Sequence, residues 1–322
     1  KYNEHDTNHI FNLINGGNGA EYLELFYDSP LRVISDVLRS FIIAEPKHRL
    51  IWGDWNSIEA RILAWLAGEE SVLDIFRRGE DVYKYAASKI FGVHYSLVTK
   101  DQRQIGKVAV LALGYQGGKG AFQAMAKGYG VKMSDKEADT IKANWRNGHP
   151  NIVKYWHWVE RQAILAVRNP GTKFSAGPKG REINYLVKGS FLFCQLPSKR
   201  ILTYPYPKIQ QVETPWGEMR DAISCMGENS LSRKWERQLL YGGLLVENIT
   251  QAVARDVLAR GITELDRRSY PIIFHVHDEV VCEVPNNMGS TSEVEEIMCQ
   301  VPDWAKGLPI AAEVTEGKRY RK

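Results

Sequence analysis

The chain has 322 residues, 44% of them hydrophobic and 25% charged; this suits two domains or one large one and excludes a disordered or fibrous polypeptide. Its net charge of +4 fits a polyanionic partner without demonstrating one, because local placement of charge outweighs the sum. With no signal-peptide pattern, no apolar run of bilayer length and no C-x-x-C among Cys194, Cys225, Cys282 and Cys299, the composition argues against a membrane protein, a zinc site or a redox motif. Scattered thiols point to a reducing, cytoplasmic setting.

In chain order, residues 1–30 are mixed, and residues 31–43 (LRVISDVLRSFII) carry apolar residues at helical spacing. Pro46 breaks that pattern, and RLIWGDW reads as a strand. From Ser57 the helical period returns, with Ile58, Ile62, Leu63, Trp65 and Leu66 on one broad face. Residues 81–91, 101–115 and 121–168 predict further helices, the last broken at 148–150 by Gly-His-Pro. From 169 to 230 Gly and Pro become frequent, and short β-like runs such as FLFCQL and ILTY appear. Residues 244–266 predict one long amphipathic helix with Leu245, Ile249, Val253 and Val257 inward. PIIFHVHDEVVCEVP then predicts a hairpin, or two strands, around His277, Asp278 and Glu279. Strand, helices, β-rich connector, helix and strands together suggest an α+β core with a helical insertion.

Two carboxylate-bearing segments stand far apart in this order. Asp54 closes the RLIWGDW strand, and Asp278 sits among Val276, Val280 and Val281. Carboxylates set in apolar strands are costly to desolvate unless cations attend them. Brought together by folding, they would form a hard-oxygen site for Mg²⁺. Alternation along a strand makes Asp278 the main ligand and Glu279 a secondary one. Taken alone, Asp54 serves equally well as a helix N-terminal acid, and Asp278-Glu279 as a solvated turn. Between the two lies DQRQIGKVAVLALGYQGG, where Arg103, Lys107, Leu111 and Tyr115 recur every four residues. They predict a slowly winding stripe with its cations near the helix N-terminus, where a triphosphate is favoured. The bland reading is a solvated basic face. GYQGGKGAF lacks the P-loop spacing.

Three segments in this order resemble the motifs of family A DNA polymerases of the Pol I type. DWNSIEARILAWLAGE is similar to the first, DYSQIELR; RQIGKVAVLALGYQGG to the second, R-x-x-x-K-x-x-x-F/Y-x-x-x-Y-G; VHDEVV to the third. LALGYQGG and YGGLLVENITQAVARD resemble the bacteriophage variant. The resemblance implies a right-hand polymerase fold of α+β class. It has an antiparallel-sheet palm (1–58 and 191–322), inserted helical fingers (59–190) and a thumb largely absent. It implies template-directed addition of dNTPs to a primer 3′-OH in phage DNA replication, in the host cytoplasm, with two Mg²⁺ ions and Mn²⁺ as a substitute.

By residue, the resemblance makes Asp54, Asp278 and Glu279 catalytic, with Asp54, Asp278 and the Trp55 backbone carbonyl as metal ligands. Arg103 and Lys107 hold nucleotide phosphates and Tyr115 contacts the template side. Leu111 stands where an aromatic ring is usual, and Tyr83 where a phosphate-touching His is common. Glu59 matches the gate that blocks a ribose 2′-OH; Asn56-x-x-Glu59 equally reads as a capping box. Gln251 matches a minor-groove contact, His277 lies near the primer end, and Lys199 and Arg200 touch template phosphates in a salt-sensitive way. An abrupt start without Met, and no exonuclease acid cluster, suggest a truncated or split polymerase aided by another polypeptide. A two-metal nuclease, a catalytically silent DNA-binding module and a single-subunit RNA polymerase are the alternatives.

Overall fold

The computed structural model describes residues 4–16, 19–214, 217–229 and 232–321. Helices α1 (Glu4–Asn15), α2 (Gly19–Glu24) and α3 (Pro30–Val37) lead through a 3₁₀ turn, Leu38–Phe41, to strand β1 (His48–Trp55). Then come α4 (Ile58–Ala67), α5 (Glu70–Arg77), α6 (Val82–Phe91), α7 (Lys100–Leu113), α8 (Lys119–Gly128), α9 (Asp135–Gly148) and α10 (Pro150–Arg168). Seven strands follow: β2 (Phe174–Ala176), β3 (Ile183–Lys188), β4 (Phe191–Gln195), β5 (Ile201–Pro205), β6 (Lys208–Glu213), β7 (Met219–Glu228) and β8 (Trp235–Leu240). The chain ends with α11 (Gly242–Arg267), β9 (Ile272–Val276), β10 (Glu279–Pro285), α12 (Thr291–Met298) and β11 (Ala312–Gly317). No helix among the described residues is long and apolar enough to cross a membrane.

The chain divides into two compact units. The first comprises Lys1–Asn56, Arg260–Gln300 and Ala311–Lys322. Its antiparallel sheet runs β11-β1-β10-β9, so β1 is central. That position explains the near-continuous apolar run of β1: Leu50, Ile51, Trp52 and Trp55 are all buried. Leu50 and Trp52 share a core with Ala44, Val281 and Tyr320. Helix α12 lies against β1 where a Cβ on Gly53 would overlap the Met298 sulfur, so a larger residue there would displace that side chain.

The second unit comprises Ser57–Ala259 and Val301–Ile310. It holds α4 to α10, most of α11, and two antiparallel sheets, β2-β3-β4-β5 and β6-β7-β8. Helix α11 buries Leu245, Ile249, Val253 and Val257, the face its periodicity predicts. An expected domain edge at 58 lies two residues from the break between the units. The edge expected at 190 does not coincide with a break, because it falls in the turn of the β3–β4 hairpin, where Lys188 pairs with Phe191. Strand β11 and helices α5 and α12 had no expectation in the sequence reading.

Candidate active site

In the first unit, β1 and β10 pair antiparallel with Asp54 opposite Glu279. Past the end of that ladder the Trp55 N–H donates to the Asp278 carbonyl at 3.0 Å. The structure therefore brings Asp54, Trp55, Asp278 and Glu279 together at the ends of neighbouring strands. Asp54 belongs to the strand, and α4 starts four residues later, so the reading of Asp54 as a helix N-terminal acid fails. His277 and Asp278 are the two corner residues of the β9–β10 hairpin, and His277 adopts a left-handed φ of +53°. Because Asp278 sits in the turn, strand alternation does not set its direction relative to Glu279. Its side chain is 29% exposed, and the His277 Nδ1 lies 3.0 Å from its Oδ1.

Glu279 is only 2% exposed. Its carboxylate accepts a hydrogen bond from the Tyr320 hydroxyl and lies 3.7 Å from Arg39 Nη1. Arg39 also donates to the Tyr320 oxygen at 3.3 Å. Edge-on packing of Tyr320 against Trp52 and Phe274 fixes that phenol. The charge thus enters the core with a cation and a donor in attendance, as a buried carboxylate requires. On the other side of β1, Glu313 stands opposite Asp54. Directly paired residues share a sheet face, and Asp54, Glu279 and Glu313 line one cavity of 610 Å³ with Lys318, Arg319 and Arg321. Sequence reading missed Arg39, Glu313 and Tyr320; the alternation in AAEVTEG is a signal that could have marked an edge strand, but none was expected there.

Trp55 turns its side chain into the packing. Its indole donates to the Met298 carbonyl at 3.0 Å, and its ring fills the space a Cβ on Gly261 would need. The tryptophan is thereby a packing residue, which leaves its peptide group for the site. Hard carboxylate oxygens on Asp54 and Asp278 fit a divalent cation such as Mg²⁺. Among the described residues no group of three or more His, Cys, Asp or Glu is placed to hold a metal.

In the second unit, Thr99 and Gln102 close a reciprocal capping box that starts α7. A Cβ on Gly106 would collide with the Tyr83 carbonyl, so α6 and α7 approach closely only because that residue is glycine. The approach sets Tyr83 between two cations: its ring centroid lies 5.5 Å from the Arg103 guanidinium and 6.0 Å from the Lys107 ammonium. Arg103 is held by the carboxylate of Asp81, which also caps α6. Lys107 lies 5.3 Å from the Tyr129 ring. Leu111 is 39% exposed on the same helix. Tyr115 lies two residues past the end of α7, so the four-residue stripe leaves the helix before reaching it.

Tyr115 instead donates its hydroxyl to Glu59 Oε2 at 2.9 Å. Burial, then the nearby Glu59 charge, pushes its phenol far above the usual tyrosine range, which keeps it a donor. Burial and the same Glu59 also raise the Glu247 carboxyl. The expected capping box at Asn56 and Glu59 does not form: Ser57 is the N-cap, with a left-handed φ and no side-chain cap bond. Gln251 is exposed on α11. Arg200 is bound to the Asp256 carboxylate and the Ala252 carbonyl of that helix. Lys199 projects from an exposed turn at φ +73°.

Comparison with known proteins bears on these groups. Residues 31–167 match the model of DNA polymerase family A. The chain is 40% identical over 315 residues to a DNA polymerase of Bacillus phage SP02, covering 97% of this chain and 47% of that protein. It is 28% identical over 160 residues to DNA polymerase I of Aquifex aeolicus, covering 48% of this chain and 28% of that one. It therefore spans about half or less of the relatives it matches. A solved structure, the POL domain of Pol1 from M. smegmatis in complex with DNA primer-template and dNTP, superposes with a TM-score of 0.55. That match has 18% identity and covers 87% of this chain and 41% of the other, and it shows a right-hand polymerase fold of α+β class.

Proposed function

We propose that the chain is a member of DNA polymerase family A and carries out template-directed DNA synthesis, joining deoxynucleoside triphosphates to a primer 3′-OH. The observation that carries this reading is the pairing of β1 with β10, which gathers Asp54 and Asp278 from residues 224 positions apart (278 − 54). Asp54, Asp278 and the Trp55 peptide would hold two Mg²⁺ ions, with Mn²⁺ as a substitute. Bound there, such ions lower the pKa of the primer hydroxyl and neutralise charge on the departing pyrophosphate. Glu279, fixed by Tyr320 and Arg39, adds an immobile acid beside the aspartates.

Arg103 and Lys107 bind the β- and γ-phosphates of the nucleotide, with Tyr83 as a neutral hydrogen-bond donor between them. Phosphate binding draws Arg103 away from Asp81. The Tyr115 phenol holds the Glu59 carboxylate in place, and that carboxylate blocks a ribose 2′-OH. Leu111 offers a smaller surface to the sugar than an aromatic ring would. Gln251, His277, Lys199 and Arg200 are assigned to primer-template contacts; Arg200 acts there by bracing the turn that carries Lys199. Palm is the role we assign to 1–58 and 191–322, and fingers to 59–190. Replication of phage DNA in the host cytoplasm suits the Bacillus phage relative.

Incubation with primed template, dNTPs and Mg²⁺ tests the proposal. Longer primers support it. Shortened primers would favour a two-metal nuclease, which has no use for the Arg103–Tyr83–Lys107 group. Unchanged primers with DNA still bound would favour a silent DNA-binding module.

A further inference from the structure

A second basic feature lies in the second unit, away from the Arg103–Lys107 group in sequence and elements. It is a cleft of 400 Å³ whose walls include Lys179, Lys199, Lys306 and Trp304. Each lysine rides on a tight turn fixed by a left-handed residue: Gly180 at φ +87°, Lys199 itself at +73°, and Gly307 at +82°. Every turn is anchored. Arg181 Nη1 donates to the Trp65 carbonyl at 2.6 Å, Ser198 and Arg200 donate to the Asp256 carboxylate, and the Lys306 carbonyl accepts from Trp65 Nε1 at 3.0 Å.

The charge balance is lopsided. Arg77 and Arg181 also line the cleft, but both are paired with Glu70. Asp303 is then the one remaining acid of the lining. Among the described residues, no ion pair or hydrogen bond engages any of the three lysine ammoniums. Three ammoniums lining one cleft favour an anionic occupant. The half-buried Trp304 ring beside them offers a flat apolar face.

We propose that this cleft binds a single strand of DNA, its successive phosphates on Lys179, Lys199 and Lys306 and a base against Trp304. Basic side chains with an interleaved aromatic ring are what sequence-independent single-strand binding requires. A small inorganic polyphosphate would use the lysines and leave the tryptophan idle. The inference rests on the polymerase reading in one respect: it gives unpaired template a point of attachment.

The test is fluorescence anisotropy with a labelled oligodeoxythymidylate, titrated between about 50 and 200 mM salt. Lys179→Gln with Lys306→Gln weakens binding about tenfold and lowers the slope of log K against log salt by about 1.4, near 0.7 for each lost single-strand contact. Trp304→Leu weakens binding about fivefold with the slope unchanged, as loss of stacking requires. The charge-matched control Lys132→Gln with Lys136→Gln, on an exposed surface, changes binding less than about twofold. Equal losses in the cleft variant and the control would overturn the proposal. So would displacement of the oligonucleotide by inorganic pyrophosphate from the wild type but not from the cleft variant, which would assign the cleft to small polyphosphates. Primer extension by the wild type is read separately: binding through the cleft without extension keeps this inference and sinks the polymerase reading.

Discussion

Glu59 illustrates how little of a residue's role its neighbours in sequence reveal. Its position three residues after Asn56 suggested a capping box, yet its carboxylate is taken by the Tyr115 hydroxyl, 56 residues away. If that pair forms the sugar gate, Glu59→Ala raises ribonucleotide incorporation relative to deoxynucleotide by at least about tenfold, roughly 1.4 kcal/mol of lost discrimination. Tyr115→Phe, which deletes that hydrogen bond and keeps the carboxylate, gives a smaller rise of the same sign. An unchanged ratio in Glu59→Ala would remove it from the sugar pocket. Leu111→Phe shifts the ratio of dideoxy- to deoxynucleotide use in the same assay; no shift would place Leu111 outside the pocket. Asp54 and Asp278 were legible beforehand because acids embedded in apolar runs need a physical reason to be there. Arg39, Glu313 and Tyr320 were not, since only the β1 register with its two neighbours and the return of the chain at 320 bring them to Asp54 and Glu279.

At the scale of elements, α6 and α7 are set by one glycine. Gly106→Ala puts a methyl group into the Tyr83 carbonyl, and backbone cannot give way as a side chain can. We expect a loss of about 1–3 kcal/mol in urea denaturation together with a raised KM for dNTP, because Tyr83 moves relative to Arg103 and Lys107. A variant with wild-type stability and wild-type KM would show that the close crossing is unimportant. Period-3.6 patterns revealed α4, α6, α7 and α11, and the apolar run of β1 revealed the central strand. The short strand β11 stayed hidden: its sequence, Ala-Glu-Val-Thr-Glu-Gly, is half polar because it lies at the sheet edge. The end of α7 at Leu113, two residues before Tyr115, was also beyond a reading from spacing alone.

Across the whole chain, each compact unit is assembled from segments distant in sequence, so local pattern located the elements better than the boundaries. The hairpin across residue 190 is the clearest case. Buried His149 gives stability a pH signature. Burial drives the His149 imidazole down to about 4, from an ordinary value of 6.5. Its Nδ1 lies 2.7 Å from the Trp145 carbonyl, and its ring stacks on Trp145. Between those two pH values the unfolded chain binds a proton there that the folded chain does not. Stability from this group is therefore complete above about 6.5 and falls as the pH drops towards 4, by up to about 1.4 kcal/mol per pH unit. Urea midpoints of His149→Gln should fall less steeply over that range than those of the wild type; parallel curves would contradict the assignment.

The central claim is that Asp54 and Asp278 together serve one nucleotidyl-transfer reaction. Rapid-quench measurement of single-nucleotide incorporation in Mg²⁺, on Asp54→Asn and Asp278→Asn beside the wild type, tests it most directly. Each variant should lose at least about a thousandfold in rate while binding primer-template within about threefold of the wild type. A loss below about tenfold in either variant, with DNA binding intact, would contradict the account.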